Sequence, residues 1–186
     1  METNSREGDP YSYRMEREGD IESTPAGQRG IRAELTLCRA LEAEADRLPA
    51  VCYGRFNRIV AALRHLAEVR PAAHLMEQVA HLPDASSRGA LTDYVHLIAE
   101  EDERDADVAL ELADAMEVAM GAGAAPNPEA LGYLMRGFFD SRRRHLAWRQ
   151  KAFFDTAAAI LDTKTFRALA APLDAVAQDL RLVALV

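Results

Sequence analysis

The sequence has 186 residues, of which 49% are apolar, 6% aromatic and 28% charged, and its net charge is −8. This length suits one domain with a sizeable core, and a composition rich in alanine and poor in aromatic residues favours a helical bundle over a sheet protein. The negative charge argues against nucleic acid as the main partner, because phosphate binding needs lysine and arginine clustered on one face.

The sequence predicts neither export nor membrane insertion. No apolar run approaches the roughly 18 residues that a spanning helix needs, and the first residues are too charged for a signal peptide. The two cysteines, Cys38 and Cys52, form neither a C-x-x-C pair nor a disulfide framework. We therefore expect a cytoplasmic protein with no membrane partner.

Residues 1–30 differ sharply in composition from residues 31–186. The first segment is rich in Gly, Pro, Ser, Glu and Arg, so it cannot bury enough apolar surface to offset the entropy lost on ordering. We predict a flexible tail over residues 1–30 and one helical domain over residues 31–186. A first helix is predicted from Ile31 to Pro49, and its inward apolar residues recur at helical spacing at Leu35, Cys38, Leu41, Ala45 and Leu48.

The middle of the domain contains two long helical patterns. The first extends from about Phe56 to about Leu82, and Pro71 inside it predicts a kink or a split into two helices. The second extends from about Ser87 to about Met120. It ends at the stretch GAGAAP, whose glycines favour a helix end.

A clear start signal opens the fourth helical pattern. Asn127 is a favourable N-cap and Pro128 suits the first helical position, and the pattern continues to about Leu161. A last, shorter segment from Thr165 to Leu180 is predicted to pack against the other helices. Long helices with short polar connections predict an all-α fold, namely an antiparallel four-helix bundle with this short C-terminal packing helix.

Polar residues interrupt the inward stripes of the third and fourth patterns. In the third, Asp102 faces inward near mid-height and is followed by Asp105 or Ala106. A carboxylate there needs a partner, because burying an unpaired charge is costly. In the fourth, Ser141 or Arg142 fills the inward position after Phe138, His145 faces inward, and Arg149 follows one helical turn later.

A further polar cluster follows Pro71, where His74 is succeeded by Glu77 and Gln78. Three helices thus each bring one inward polar position to about mid-height. A single histidine on an apolar face is more often a hydrogen-bonded core residue than a metal ligand, but the coincidence of three such positions favours a site. No general base lies beside a nucleophile in the sequence, so an enzyme is not predicted.

The remaining histidines and charged runs are interpreted as surface positions. His65, His81 and His96 lie off the inward stripes. The acidic run EEDERDAD, residues 100–107, is expected to form a solvated face. The three arginines at residues 142–144 are expected to form salt bridges at the rim.

Four stretches of the chain resemble the hemerythrin-like family, also called the HHE cation-binding domain. They are LCRALEAEADRLP, AAHLMEQVAHL, EDERDADVALELADAM and NPEALGYLMRGFFDSRRRHLAWRQKAFFDTAAAIL, and the resemblance that rests on them extends over most of residues 33–175. The resemblance implies a four-helix bundle whose inward histidines and carboxylates, arranged as His-x-x-x-Glu pairs, hold a non-haem di-iron centre. It also implies a role in binding or sensing dioxygen, nitric oxide or iron.

The first ligand pair of the family is altered in this chain. His74 stands where the first histidine is expected, but Gln78 stands four residues later. A neutral amide is a far weaker ligand than a carboxylate. Only Glu77, next to Gln78, offers a carboxylate in this segment.

The other two helices depart from the family pattern as well. Glu101 and Asp102 replace its Glu-His dipeptide, His145 is kept, and Arg149 replaces the glutamate partner of that histidine. A permanent cation at Arg149 repels a divalent ion in a core of low dielectric constant. The candidate metal ligands that remain are His74, Glu77, Asp102 and His145. They suffice for a single divalent cation such as iron, but not for the usual di-iron set.

Three hypotheses stay open on the sequence alone. In the first, Arg149 replaces the metal by pairing with Asp102 or Glu77, so that the protein has no cofactor and is a non-catalytic regulatory or partner-binding module with an unidentified protein partner. In the second, an atypical, mononuclear site binds one cation and senses oxygen, nitric oxide or metal level. In the third, the chain is an unrelated alanine-rich helical adaptor, in which His74, Asp102 and His145 do not converge.

Overall fold

A computed structural model describes residues 27–69 and 71–184 of the protein, and these residues are helical almost throughout. Within the same two ranges there is no β-strand, and one isolated bridge pairs Ala50 with Ala124. The helices are α1 Gln28–Ala45, α2 Tyr53–Glu68, α3 Pro71–Ala80, α4 Ala85–Ala122, α5 Pro128–Trp148, a π-helical segment Arg149–Phe154, α6 Asp155–Ile160 and α7 Thr163–Ala184. The prediction of an all-α fold is confirmed.

The two central helices begin with side-chain caps. The Asp84 carboxylate accepts a hydrogen bond from the backbone N–H of Ser87 at 2.6 Å at the start of α4, and Gly123, with φ of 73°, ends that helix. The Asn127 side chain accepts from the backbone N–H of Ala130 at 3.0 Å at the start of α5. Such caps satisfy N–H groups that have no partner within the helix, and the predicted start at Asn127 is confirmed.

The helix α1 begins earlier than the sequence predicts, because a carboxylate of α7 caps its first turn. The backbone N–H groups of Gly27 and Arg29 donate to the two carboxylate oxygens of Asp174 at 2.9 and 3.0 Å. Gly30 lies so close to α7 that an added Cβ would clash with the Leu173 carbonyl oxygen. Residues 28–30, assigned to the tail from sequence, thus belong to α1, and residues 1–26 of that tail lie outside the described residues.

The helices α2 and α3 are separate, which is one of the two alternatives predicted at Pro71. Helix α2 ends at Glu68, and the backbone of Val69 is extended, with φ of −85° and ψ of 97°. Proline lacks an N–H group and so cannot extend the hydrogen bonds of a preceding helix, whereas it suits the first position of a new one. Helix α3 therefore starts with its own rotational phase and packs against the first half of α4, whereas α2 packs against the second half.

The last helix, α7, is longer than the predicted segment from Thr165 to Leu180. It has 22 residues and contacts α1, α2 and α3. The other main contacts join α4 to α2, α3 and α5, and join α5 to α1. The long helix α7 is therefore a principal element of the fold rather than a short addition to it.

Buried apolar side chains form two separate clusters. The first apolar cluster combines α1 and α2 with residues 109–119 of α4 and the first half of α5. The second apolar cluster combines α3 with residues 91–98 of α4, the π-helical segment and α7. On α4, the buried residues between the two clusters are Asp102, Asp105 and Ala106. The boundary between the clusters is therefore polar.

Candidate functional site

Five charged side chains meet at the boundary between the two apolar clusters. They come from α1, α4, α5 and the π-helical segment, and we call them the ionic cluster: Glu34, Asp102, Asp105, Arg142 and Arg149. Each residue is at most 7% exposed. Charges are tolerated at such depth only where opposite charges and hydrogen bonds replace water.

Arg142 is the centre of the ionic cluster. Its Nη1 donates to Asp102 Oδ1 at 2.9 Å and to Asp105 Oδ2 at 2.8 Å, and its Nε donates to Glu34 Oε2 at 2.6 Å. Burial by itself lowers the pKa of Arg142, but the three carboxylates outweigh burial and raise that pKa well above its usual value. Arg142 is therefore a permanent cation that ties α1, α4 and α5 together.

Arg149 provides the second cation of the ionic cluster. Its Nη2 donates to Asp102 Oδ1 at 2.6 Å, and its Nη1 lies 3.9 Å from Glu34 Oε1. One oxygen of Asp102 thus accepts from both guanidinium groups. Burial raises the pKa of Asp102, but Arg149 and Arg142 outweigh it, so the pKa lies below its usual value and the carboxylate is ionised. Of the two partners suggested for Arg149 from sequence, Asp102 is in contact with it.

Arg149 is also the first residue of the π-helical segment, where the sequence predicts an uninterrupted α-helix. A π turn accommodates one extra residue and rotates the residues that follow it. Arg149 faces the ionic cluster, whereas the adjacent Phe153 and Phe154 are both buried in the second apolar cluster. The wider turn therefore lets one continuous helix direct Arg149 into the ionic cluster and Phe153 and Phe154 into the second apolar cluster.

His145 lies at the edge of the ionic cluster, with 18% of its side chain exposed. Its Nδ1 is 2.8 Å from Asp105 Oδ2, and its Nε2 is 3.5 Å from Ser141 Oγ and 3.8 Å from Glu101 Oε1. Burial raises the pKa of Asp105, but its hydrogen bond with His145 and the charge of Arg142 outweigh burial and lower that pKa. The imidazole thus stands between an ionised carboxylate and solvent.

Two of the predicted ligands do not reach this region. His74 and Glu77 are exposed on α3, and Gln78 is partly exposed. The inward face of α3 carries Ala72, Leu75, Val79 and the following Leu82 instead. The prediction of an inward polar position on this helix is wrong, because α3 restarts after Pro71 and does not keep the phase extrapolated from α2. Asp102 and His145 belong to one network, because Arg142 donates to both Asp102 and Asp105 and Asp105 contacts His145, but His74 does not join them.

Sequence reasoning missed Glu34 and misjudged Arg142. Glu34 lies four residues before Cys38 on the buried face of α1, so helical spacing alone was sufficient to find it. Arg142 was expected at the rim, yet it lies four residues after the buried Phe138 and is itself buried. The acidic run was expected to be solvated, but Asp105 within it is buried together with Asp102.

The residues of the ionic cluster do not fit a di-iron centre. Among residues 27–69 and 71–184 there is no group of three or more His, Cys, Asp or Glu side chains that could hold a metal ion. The carboxylates instead converge on guanidinium groups, which exclude a second cation from the same position. Burial and the Glu34 carboxylate raise the pKa of Cys38 to about 12, so its thiol is protonated beside the ionic cluster.

Several buried polar atoms in this region lack a hydrogen-bond partner within the described chain. They are Asp102 Oδ2, Glu101 Oε2 and Arg149 Nε. Four carboxylates, those of Glu34, Glu101, Asp102 and Asp105, surround two guanidinium groups, so the formal charges of these six groups sum to −2. Excess negative charge and unpartnered carboxylate oxygens favour the binding of one further positive group in this region.

Comparisons with protein-family models, curated proteins and solved structures give no match to this chain. In the described part of the chain, no helix combines the length and the apolar character that crossing a bilayer requires.

Proposed function

We propose that the protein is a hemerythrin-like helical bundle, with an antiparallel four-helix core, in which two arginines take the place of the metal centre. Its role is then that of a regulatory or partner-binding module, and the two arginines of the ionic cluster have a structural part. One observation carries this proposal: Asp102 Oδ1 accepts from Arg142 at 2.9 Å and from Arg149 at 2.6 Å, with all three side chains at most 6% exposed.

The chemistry of guanidinium supports this exchange. A metal ion in such a core neutralises carboxylates and holds helices in register, and a buried guanidinium does the same with fixed charge and directional hydrogen bonds. A guanidinium offers no open coordination position and no redox chemistry. Replacement of a metal by Arg142 and Arg149 would therefore retain the architecture and give up oxygen chemistry.

Exposed apolar side chains support a partner-binding role. Tyr53, Val118 and Tyr133 are 67%, 63% and 79% exposed. They lie close in sequence to helix ends that the bridge between Ala50 and Ala124 holds together. Tyrosine is among the residues enriched in protein interfaces. The third hypothesis, an unrelated helical adaptor, also predicts a partner-binding role. The exposed position of His74 agrees with that hypothesis.

Metal content tests the proposal. Protein purified without chelator is analysed for iron, zinc and manganese, together with Arg149→Glu and the control Arg144→Glu, which alters an exposed arginine of the same helix. We expect no stoichiometric metal in the wild type, and gain of iron only in Arg149→Glu. A wild type with about two irons per chain and an oxo-bridged visible spectrum would contradict the proposal.

A second candidate is a sensor that binds one cation, which the unpartnered oxygens of Asp102 and Glu101 and the charge of −2 favour. Its ligands would be carboxylates beside His145, with Arg149 displaced along its aliphatic stem. This candidate expects about one metal ion per chain in the wild type and loss of that ion in His145→Ala. A metal-free wild type eliminates it and leaves the first proposal standing.

A further inference from the structure

Ser141, His145 and Asp105 form a chain of contacts that runs from a hydroxyl group to a carboxylate. Asp105 Oδ2 is 2.8 Å from His145 Nδ1, and His145 Nε2 is 3.5 Å from Ser141 Oγ. This is the order of groups in a Ser-His-Asp triad, which is recognised by geometry and not by sequence order. The sequence concealed it, because Ser141 and His145 are one turn apart on α5 whereas Asp105 comes from α4.

The hydroxyl of Ser141 is not engaged in the usual way for a hydroxyl inside a helix. Thr36 and Thr92 donate their hydroxyl hydrogens to the backbone carbonyl four residues earlier, at 2.9 and 2.7 Å. For Ser141, the hydrogen-bond partner is the imidazole of His145. In the neutral tautomer that donates Nδ1–H to Asp105, Nε2 carries no hydrogen and accepts the hydrogen of Ser141, which is the arrangement that a general base needs.

A groove of about 310 Å³ between α4 and α5 gives access to this serine. Ser141 and Asp105 lie in its wall with the apolar side chains of Val108, Tyr133, Leu134 and Phe138. Gly137 lies one turn before Ser141, and a Cβ at this glycine would meet no atom within 4 Å. Side chains of a helix lean toward its N-terminus, so the missing side chain of Gly137 leaves the approach to the Ser141 hydroxyl open.

We propose that Ser141 is an acyl-accepting nucleophile for a carboxylic ester with a short, neutral, apolar acyl group. The groove walls suit such a group, and the carboxylates of Asp105 and Glu111 in the groove disfavour an acidic one. The proposal concerns an activity beside the proposed binding role, and it does not depend on whether arginines replace a metal.

The reaction divides into two transfers. His145 Nε2 takes the hydroxyl proton while Ser141 Oγ bonds to the ester carbonyl carbon, whose π electrons move to its oxygen. The carbon–oxygen bond to the alcohol then breaks with its electron pair, and the leaving oxygen takes the proton from Nε2. Water, deprotonated by the same nitrogen, attacks the acyl carbon, and release of the carboxylic acid restores the serine hydroxyl.

Two charged species form in this reaction, the imidazolium ion of His145 and an oxyanion, and neighbouring groups of opposite charge would stabilise them. Asp105 is a positioning residue that holds the imidazole by Nδ1, and Glu101 Oε1 lies 3.8 Å from Nε2, so two carboxylates stabilise the imidazolium ion. Arg144 is exposed, three residues after Ser141 on the same helix, and has no ion-pair partner within the described residues. Side chains three residues apart are neighbours on a helix, so the flexible Arg144 side chain can reach toward the oxyanion that develops at Ser141.

Covalent labelling tests the nucleophile directly. The full chain is treated, in the presence of chelator, with a fluorophosphonate probe, and the labelled residue is located by peptide mass spectrometry. We expect the label on Ser141 in the wild type and in the control Ser86→Ala, and loss of this label in Ser141→Ala and His145→Gln. Both replaced side chains are partly exposed, so folding is retained and is checked by circular dichroism. No label on Ser141, or equal labelling in His145→Gln, would overturn the proposal.

Ester turnover tests the groove and the positioning residue. With p-nitrophenyl butyrate we expect kcat/KM to fall at least about 100-fold in Ser141→Ala and His145→Gln. Gly137→Leu fills the groove and should raise KM, whereas Asp105→Asn should lower kcat without raising KM. Wild-type turnover equal to that of Ser141→Ala, or an unchanged KM in correctly folded Gly137→Leu, would contradict the proposed site.

Discussion

Two arginines of this molecule each bind more than one carboxylate, yet their surroundings differ. Arg64 belongs to α2, and 38% of its side chain is exposed. It contacts two residues of α4, Asp114 at 2.7 Å and Glu117 at 3.0 Å. Arg142 is 2% exposed and contacts Glu34, Asp102 and Asp105. Exposed pairs contribute little because water and salt compete for them, whereas a buried charge deprived of its partner is strongly destabilising. Similar contacts therefore have unequal consequences.

The largest effect is expected for Arg142→Ala. This change leaves three carboxylates in the core, with only Arg149 to balance them, so the free energy of unfolding should fall by roughly 3–5 kcal/mol. Urea unfolding followed by circular dichroism measures the loss. If the loss is below about 1 kcal/mol, the distinction between buried and exposed networks fails.

The second effect is loss of stability in acid. Folding lowers the pKa of both Asp102 and Asp105, so each contributes stability that is fully present above its unfolded pKa of about 3.9. This stability is lost as the pH falls through the still lower pKa values of the folded protein. Unfolding free energy measured from neutral pH downward should fall steeply below about pH 4. The fall should be shallower in Asp102→Asn, and equal slopes would contradict the assignment.

A matched pair on α1 sharpens the comparison. Glu34 is buried against Arg142, whereas Glu42 is 46% exposed beside Arg143. Glu34→Gln keeps the shape but leaves part of a buried guanidinium without its charged partner, at a cost of about 1–3 kcal/mol. Glu42→Gln should cost less than about 1 kcal/mol. Equal losses in the two variants would show that burial does not decide the outcome.

The helices were largely predictable because their signals are local. The cap at Asn127 and the break at Pro71 are each determined by a few adjacent residues. The phase of α3 was not predictable, since an extended residue separates it from α2 and no pattern carries across such a break. The π-helical segment was missed because its RQKAFF sequence has no residue that forbids an ordinary α-helix.

The candidate site was predictable only in part. Asp102, His145 and Arg149 interrupt apolar stripes, and this signal can be read from one helix at a time. Glu34 and Arg142 lie at stripe positions of their own helices, but the opposite charges that they contact come from other helices, and no single stripe shows those partners. The triad of Ser141, His145 and Asp105 likewise exists only after α4 and α5 pack together. A site formed by side chains from several helices cannot be predicted from the pattern of any one helix.

The smallest effect is expected at Arg64, and its dependence on salt completes the comparison. Arg64→Ala removes contacts to Asp114 and Glu117, which are 69% and 47% exposed, so the loss should be at most about 1 kcal/mol. In 1 M salt, where the screening length is about 3 Å, this loss should nearly vanish. The loss of unfolding free energy in Arg142→Ala should persist in the same salt, because dissolved ions do not reach the buried ionic cluster. Urea unfolding of both variants at low and high salt measures the contrast. A loss that disappears for both variants would mean that Arg142 is screened by solvent, which its burial argues against.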